Sequence, residues 1–313
     1  METGRVIRTT GSHYTIRSNQ GEILECLIRG NFRVRGIKTT NPVSVGDVVD
    51  FIPPTTTSYG VITNIHPRKN YLIRRSTNLS KRSHIIASNV DQAFLIATLI
   101  LPRTSTGFID RFLLTTQAYD IPTIIIFNKI DLYDTQVREY AKEFMDIYRN
   151  IGYDCIETSA LRGDNIELIK ERMQGKTTLL SGHSGVGKSA LINSIDNNLN
   201  LRTGEISQYH LKGKHTTTFA EMFPLSFGGD IIDTPGIKEF GVFDFKKEEI
   251  GLYYPEMKMR LDGCRFYNCT HEHEPGCAIK KAVEEGEISM ERYINYLKIL
   301  NGEELRIEKW EDD

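Results

Sequence analysis

The sequence predicts a multidomain protein in three parts: an N-terminal all-β barrel, a central α/β domain and a C-terminal helical, metal-binding module. Three observations predict this order. Short apolar stretches alternate with turn residues over 1–66, and continuous apolar runs alternate with helical patterns over 90–238. Three cysteines and a histidine then fall within fourteen residues. We place the domains at 1–72, 73–238 and 239–313.

Composition excludes several classes of protein. The 313 residues are 39% hydrophobic, which argues against a disordered, collagen-like or coiled-coil chain. The longest apolar stretch, between Gln92 and Pro102, is about half of what a bilayer span needs. The N-terminus has no apolar segment typical of a secretion signal, so we expect a cytoplasmic protein.

Charge is distributed unevenly along the chain, although the net charge is only -2. Residues 1–82 carry thirteen Lys or Arg and five Asp or Glu, whereas residues 281–313 carry ten acids and five bases. A basic N-terminal part on a nearly neutral chain indicates a module that binds a polyanion. An ordinary solvated basic surface is the alternative.

Five strands are predicted in the N-terminal domain, in the stretches GRVIRTT, HYTIRSN, EILECLIRG, VGDVVDFI and GVITNIH. Five strands with a positive charge are typical of an OB-type barrel, a fold that commonly binds oligonucleotides. An SH3-like barrel is the alternative. Residues 67–89 are polar and basic, and we predict a linker there.

The α/β pattern of the central domain begins near Val90. The runs AFLIATLIL and PTIIIFNKID are typical of strands buried on both faces of a parallel sheet. Strands are also predicted in YDCIETSA, TTLLSG and GGDIID. Apolar residues at helical spacing predict helices in GFIDRFLLTTQAY, TQVREYAKEFMDIYRNIG and DNIELIKERMQG.

A phosphate-binding loop is predicted at GHSGVGKS, because this motif follows a predicted strand and opens a predicted helix. Its backbone amides would surround phosphate oxygens, and Lys188 would reach the β- and γ-phosphates. Ser189 could ligate Mg²⁺. The nucleotide-binding candidates here are Gly182, His183, Ser184, Gly185, Val186, Gly187, Lys188, Ser189 and Ala190.

The motif DTPG, Asp233 to Gly236, directly follows a predicted strand. A carboxylate in this place can hold Mg²⁺ through water, which is the role we assign to Asp233. The backbone N–H of Gly236 can meet the γ-phosphate. The motif gains its specificity from the phosphate-binding loop that precedes it.

The motif NKID predicts recognition of guanine. Asp131 can accept hydrogen bonds from N1–H and N2–H₂ of guanine, a pair of donors that adenine lacks on that edge. Asn128 would brace the loop, and the stem of Lys129 would lie over the base. The later motif TSA contributes Ser159 and Ala160, and the Ala160 amide could reach the guanine O6.

Together these are the guanine-nucleotide motifs of a GTPase domain, in an unusual order. NKID and TSA precede the phosphate-binding loop and DTPG, whereas in most GTPases they follow them. The domain is therefore predicted to be circularly permuted, which a fold tolerates when the new termini lie in surface loops. The C-terminal module then follows directly on the loop that senses the γ-phosphate.

The chain resembles the ribosome small-subunit-dependent GTPase A (RsgA) family of bacteria over essentially its whole length. The motifs that carry the resemblance are NKID, TSA, GHSGVGKS, GKHTTT, DTPGIKEF and CRFYNCTHEHEPGC. The resemblance implies a GTP hydrolase that acts late in maturation of the small ribosomal subunit and is stimulated by that subunit. It also implies contact with 16S ribosomal RNA, and we expect a monomer.

GKHTTT lies where the first switch loop belongs, and a threonine there would coordinate Mg²⁺. The string leaves open which of Thr216, Thr217 and Thr218 does so; Thr217 is our candidate. Ile237 follows DTPG and cannot hydrogen-bond the attacking water. His215 is the candidate for that role, beside Lys188 as the second catalytic residue; the alternative is that His215 packs or contacts RNA.

The spacing Cys264-x₄-Cys269-x-His271-x₅-Cys277 predicts a closed, structural Zn²⁺ site. His273 is the rival nitrogen ligand, and the resemblance favours His271. Reduced free thiols are the alternative. Phe266 and Tyr267 are expected to pack within the module, with exposure for RNA stacking as the alternative. An amphipathic helix is predicted on this module, with Ile294, Leu297 and Leu300 on its apolar face.

Three other functions stay open at this point. The chain could be a P-loop phosphotransferase or ATPase in which NKID is accidental, or an RNA-binding module with a decayed GTPase. It could also be a GTPase or RNA-binding switch that acts on another RNA, such as mRNA or tRNA. Retention of Lys188, Ser189, Asp233 and Gly236 argues against decay.

Overall fold

The structure is a computed structural model. It describes residues 1–28, 42–55, 59–75, 83–199, 220–233 and 245–303. Among these residues, no helix is both long and apolar enough to cross a membrane.

The N-terminal domain is the predicted five-stranded barrel. Its strands are β1 (Glu2–Thr10), β2 (His13–Ser18), β3 (Ile23–Ile28), β4 (Val48–Ile52) and β5 (Gly60–Ile65). They pair in the order β1-β2-β3-β5-β4, and β4 pairs back with β1, so the barrel is closed. Alternate residues of the strands point inward, and the buried set includes Val6, Ile16, Phe51 and Ile62. This alternation of buried and exposed side chains produces the period-2 apolar pattern in the sequence.

The segment predicted to be a linker is instead an antiparallel hairpin of β6 (Tyr71–Arg75) and β7 (Ser83–Ser88). The fully buried carboxylate of Asp47 fixes it to the barrel. Arg68 Nε and Nη2 donate to the two oxygens of Asp47 at 2.6 and 2.7 Å, and Ser88 Oγ donates at 2.6 Å. The prediction failed because this anchor joins residues that are distant in the sequence.

The central domain is a six-stranded sheet. Its strands are β8 (Gln92–Ala97), β9 (Thr123–Phe127), β10 (Asp154–Glu157), β11 (Thr177–Ser181), β12 (Glu221–Pro224) and β13 (Asp230–Asp233). They lie in the order β10-β9-β8-β11-β13-β12, and only β12 is antiparallel to its neighbour in this sheet. Every residue of β8, β9 and β11 is buried, as their continuous apolar runs predict.

Four helices cover this sheet: α1 (Thr106–Ala118), α2 (Thr135–Arg149), α3 (Ile166–Met173) and α4 (Lys188–Ile195). Ser105 caps α1 by accepting a hydrogen bond from Phe108 N, and Asp134 caps α2 in the same way. Side chains of α1 and α2 bury one face of the sheet, and those of α3 and α4 bury the other. The domain is therefore a three-layer α/β fold.

The barrel docks on the edge of this sheet. Strand β1 pairs with β12 where Arg8 lies opposite Glu221, so the two sheets are continuous. Arg17 Nη2 donates to both oxygens of Asp230, at 2.7 and 2.9 Å, and Arg5 Nη1 donates to Thr177 Oγ1 at 2.8 Å. Asp230 and Thr177 begin β13 and β11. The barrel thus binds the amino ends of the central strands.

Part of the basic charge of residues 1–82 is paired with acidic side chains of the protein itself. The basic side chains of residues 1–82 that the structure describes are all ion-paired: Arg5, Arg8, Arg17, Arg68 and Lys69. Arg5, Arg17 and Arg68 are largely buried in these pairs, whereas Arg8 and Lys69 stay more than half exposed. The other eight basic side chains of residues 1–82 lie outside the described part: Arg29, Arg33, Arg35, Lys38, Arg74, Arg75, Lys81 and Arg82.

The C-terminal module contains the helices α5 (Lys247–Ile250), α6 (Pro255–Lys258), α7 (Ala278–Glu284) and α8 (Met290–Leu300). Helices α7 and α8 are separated by a turn at Gly286, where φ is +76° and favours glycine. Tyr254, Met257, Ile279 and Tyr296 form part of its core.

Helix α8 packs on α1 of the central domain through a buried ionic cluster. Arg292, 3% exposed, donates to Asp110 and, through Nε, to Glu256 Oε1 at 2.5 Å. Asn295 Nδ2 donates to Asp110 Oδ2 at 2.7 Å. The predicted apolar face is therefore only partly correct, because Ile294 is 43% exposed while Arg292 and Asn295 point inward. Arg292 and Asn295 face inward because both bind Asp110 on α1. The spacing of apolar residues gives no sign of such a polar contact.

We expect Arg292→Met to lower the free energy of unfolding by about 3–5 kcal/mol, because it leaves two buried carboxylates without their cation. Lys298→Met is the control, since Lys298 lies on the exposed side of the same helix. The midpoint of urea unfolding measures the difference. Equal midpoints for the two variants would contradict the role given to Arg292.

Candidate functional site

The phosphate-binding loop lies at the centre of the sheet, between β11 and α4. It therefore sits at the carboxyl ends of the parallel strands, where α/β sheets bind ligands. Gly185 and Gly187 both have φ of +87°, which favours glycine. A Cβ on Gly187 would also lie 2.5 Å from Asn128 Nδ2, so two loops meet here too closely for any side chain.

Asn128 joins three of the predicted motifs. Its Nδ2 donates to Val186 O in the phosphate-binding loop at 2.8 Å, and its Oδ1 accepts from Ala160 N in TSA at 3.2 Å. The side chain is buried, with 1% exposure. NKID and the phosphate-binding loop thus form one pocket despite their swapped order in the chain. The Ala160 amide, predicted to reach guanine, here donates to Asn128.

The other NKID side chains are also held in place. Ser159 Oγ donates to Asp131 Oδ1 at 2.5 Å, which fixes the orientation of that carboxylate. Lys129 has φ of +67° and donates from Nζ to Leu101 O at 2.6 Å.

The phosphate end of the pocket contains an ion pair. Lys188 Nζ lies 2.9 Å from Asp233 Oδ1, and each side chain is 13% exposed. Lys188 begins α4 and Asp233 ends β13, on the strand beside β11. The first residue of DTPG thus lies next to the phosphate-binding lysine, as the two motifs predict.

The structure adds a contact that the sequence analysis missed, in the loop between β8 and α1. His183 Nε2 lies 2.7 Å from Thr104 Oγ1, and the edge of the imidazole meets the ring of Phe108 at 5.6 Å. Burial lowers the pKa of His183, so the ring is neutral near pH 7. The signal for this contact is topological: β8 is the neighbour of β11, so the loops that follow them meet.

Several candidates lie outside the described residues. They are the first-switch residues His215, Thr216, Thr217 and Thr218, and, after Asp233, Gly236 and Ile237.

The predicted metal ligands come together in the C-terminal module. The ligand atoms of Cys264, Cys269, His271 and Cys277 lie within 4.8 Å of one another. His271 Nδ1 is 3.6 Å from Cys264 Sγ and 3.4 Å from Cys277 Sγ. A tetrahedral Zn²⁺ site, with Zn–S of about 2.3 Å and Zn–N of about 2.0 Å, places its ligand atoms about 3.5–3.8 Å apart. The donor set therefore fits Zn²⁺.

The surroundings distinguish His271 from its rival. His271 is 2% exposed, whereas the side chain of His273 is 86% exposed and points away from the thiols toward Glu272. Tyr293 donates from its hydroxyl to His271 O at 2.6 Å. Burial raises the pKa of the Cys269 thiol to about 12.

The loop between the first two cysteines is exposed. Phe266 is 40% exposed and Tyr267 is fully exposed, so the expectation that both pack within the module is wrong for Tyr267. The reason is the short span between ligands, which holds the loop at the surface.

Comparisons with known proteins agree with this architecture. The family described as RsgA GTPase matches residues 65–243, and the RsgA N-terminal domain matches residues 3–62. The chain belongs to the RsgA GTPase family. It is a GTP hydrolase with a permuted catalytic domain, and this membership argues against the ATPase and phosphotransferase alternatives.

Two curated relatives are each named small ribosomal subunit biogenesis GTPase RsgA. That of Christiangramia forsetii is 53% identical, over 96% of each chain, and that of Bacteroides fragilis is 52% identical, over 96% of this chain and 97% of its own. YjeQ from Thermotoga maritima superimposes with a TM-score of 0.77 at 36% identity, over 97% of this chain and 99% of its own. YloQ, described as a circularly permuted GTPase, superimposes with a TM-score of 0.72 at 30% identity, over 96% of this chain and 94% of its own.

Proposed function

We propose that this RsgA-family GTPase is a late maturation factor of the small ribosomal subunit. It binds 16S ribosomal RNA as a monomer in the cytoplasm, and the subunit stimulates its GTP hydrolysis. The observation that carries the nucleotide-binding part of the proposal is the hydrogen bond from Asn128 to Val186, which joins the predicted guanine-reading loop to the predicted phosphate-binding loop. The names of relatives that match nearly the whole chain support the subunit as partner.

Within the pocket, Asp131 reads guanine and is held for this by Ser159. The N–H groups of the loop from Gly182 to Ser189 surround the phosphates, and Lys188 leaves Asp233 to contact the β- and γ-phosphates. Ser189, Thr217 and Asp233 would hold Mg²⁺, which when bound neutralises charge on the transferred phosphoryl group. The Gly236 N–H would meet the γ-phosphate.

The attacking water needs a group to orient it, and Ile237 cannot supply one. We assign this role to His215, and we expect slow intrinsic turnover that the partner raises. A partner that stabilises the transition state by only about 1.4 kcal/mol raises turnover about tenfold.

For the C-terminal module we propose one structural Zn²⁺ held by Cys264, Cys269, His271 and Cys277. Four protein ligands leave no open position, which is typical of structural rather than catalytic zinc. The ion would hold the exposed loop of Phe266 and Tyr267 in one conformation.

The function is tested by GTP turnover with and without purified small subunits. We expect the subunits to raise turnover at least about tenfold. Lys188→Ala should abolish both rates, which shows that the activity belongs to this pocket. Turnover that does not respond to small subunits, or that responds equally to large subunits, would refute the proposal.

Guanine recognition is tested by Asp131→Asn. The variant loses the two charge-assisted hydrogen bonds from guanine N1–H and N2–H₂, so affinity for GDP should fall about 100-fold or more. Affinity for xanthosine diphosphate (XDP) should rise. Asp134→Asn is the matched control, because asparagine also caps α2. Unchanged nucleotide preference in Asp131→Asn, measured by competition with a fluorescent nucleotide, would show that this carboxylate does not read the base.

The zinc assignment is tested by the metal content of two histidine variants. His273→Ala should retain one zinc per chain, whereas His271→Ala should lose it or bind it far more weakly, because only His271 faces the three thiols. Thermal unfolding should show a lower melting temperature for His271→Ala alone. Equal metal content in the two variants would leave no support for His271 as the fourth ligand.

A further inference from the structure

The exposed loop of the Cys/His cluster differs from the rest of the apolar surface. Among the large hydrophobic side chains that the structure describes, Tyr267 is the most exposed, at 103%, and its neighbour Phe266 is 40% exposed. The guanidinium carbon of Arg265 lies 5.6 Å from the centre of the Phe266 ring. A single exposed apolar residue is ordinary, but here two consecutive aromatic side chains are exposed and a guanidinium lies over one of the rings.

The backbone of this loop is held in place. Cys264 precedes Arg265, and Cys269 follows two residues after Tyr267. Arg265 N donates to Gly276 O at 3.1 Å, and Cys269 N donates to Phe266 O at 3.3 Å. A tyrosine on a fixed backbone has few conformations to lose on binding, so its ring can contribute most of its contact free energy.

One cation lies in this exposed loop, since Arg265 is the one charged residue between Cys264 and Cys269. The nearby carboxylates are turned to other partners. Glu274 accepts hydrogen bonds from Thr270 and from the backbone of residues 272 and 273, and Glu272 accepts one from Asn301 Nδ2 at 2.8 Å.

We propose that Tyr267 stacks on an unpaired base of the small-subunit RNA, with Arg265 contacting the adjoining phosphate. This inference rests on the proposed function, since it takes the subunit as partner. Unpaired bases are recognised by aromatic rings and guanidinium planes, which tolerate any base. Besides the two rings, the loop presents Arg265 and Asn268, both exposed hydrogen-bonding residues that can contact the phosphates and base edges of an unpaired strand.

The test compares the affinity of small subunits for wild-type protein and three variants. Tyr267→Ala should weaken binding about 5- to 150-fold, the range for loss of one stacked base. Tyr267→Phe keeps the ring and should bind within about twofold of wild type, whereas Tyr267→Leu keeps apolar area but no ring and should behave like Tyr267→Ala. Basal turnover without subunits should stay unchanged in all three, because Tyr267 lies outside the nucleotide pocket.

Each outcome decides. Wild-type affinity in Tyr267→Ala would refute the stacking, and so would full rescue by Tyr267→Leu, which would indicate a protein contact. A photo-reactive benzoylphenylalanine at position 267 should cross-link to RNA in the bound subunit; a cross-link to a ribosomal protein would overturn the proposal. If wild-type protein does not bind subunits at all, the proposed function itself fails, and the inference with it.

Discussion

The hydrogen bonds of Asn128 are the constraint on which the site depends. One buried amide donates to the phosphate-binding loop and accepts from TSA, so three segments that are distant in the chain share a single pocket. The fit is close enough that Gly187 has no room for a side chain. Circular permutation leaves this arrangement intact, because strands β9, β8 and β11 keep their neighbours whatever the order of their connections.

The other two domains are bound to different elements of the central domain. The barrel contacts the amino ends of β11 and β13 through Thr177 and Asp230, and its β1 pairs with β12. The C-terminal module binds α1 through the ion pair of its Arg292 with Asp110 of that helix. Helix α1 begins beside Thr104, which contacts the phosphate-binding loop, and β11 leads directly into that loop. Each outer domain is therefore separated from the nucleotide pocket by a single helix or strand.

Features set by local pattern could be predicted from the sequence. The strands of the barrel, the buried strands of the sheet and the nucleotide motifs all follow from spacing within a few residues. Features set by pairs far apart could not. The ionic cluster joins Asp110 to Arg292, the hairpin depends on Asp47, and Arg5, Arg8 and Arg17 of the barrel pair with acidic residues of the central domain. The exposure of Tyr267 could not be predicted either, because it depends on how the Cys/His cluster places the loop between Cys264 and Cys269.

A crystal structure with a non-hydrolysable GTP analogue and Mg²⁺ is the most direct measurement of the central claim. We expect Asp131 to contact the base and Lys188 to contact the β- and γ-phosphates of the same nucleotide, with Asn128 still bonded to Val186. A nucleotide that touches only one of the two loops, with Asp131 or Lys188 facing solvent, would contradict it.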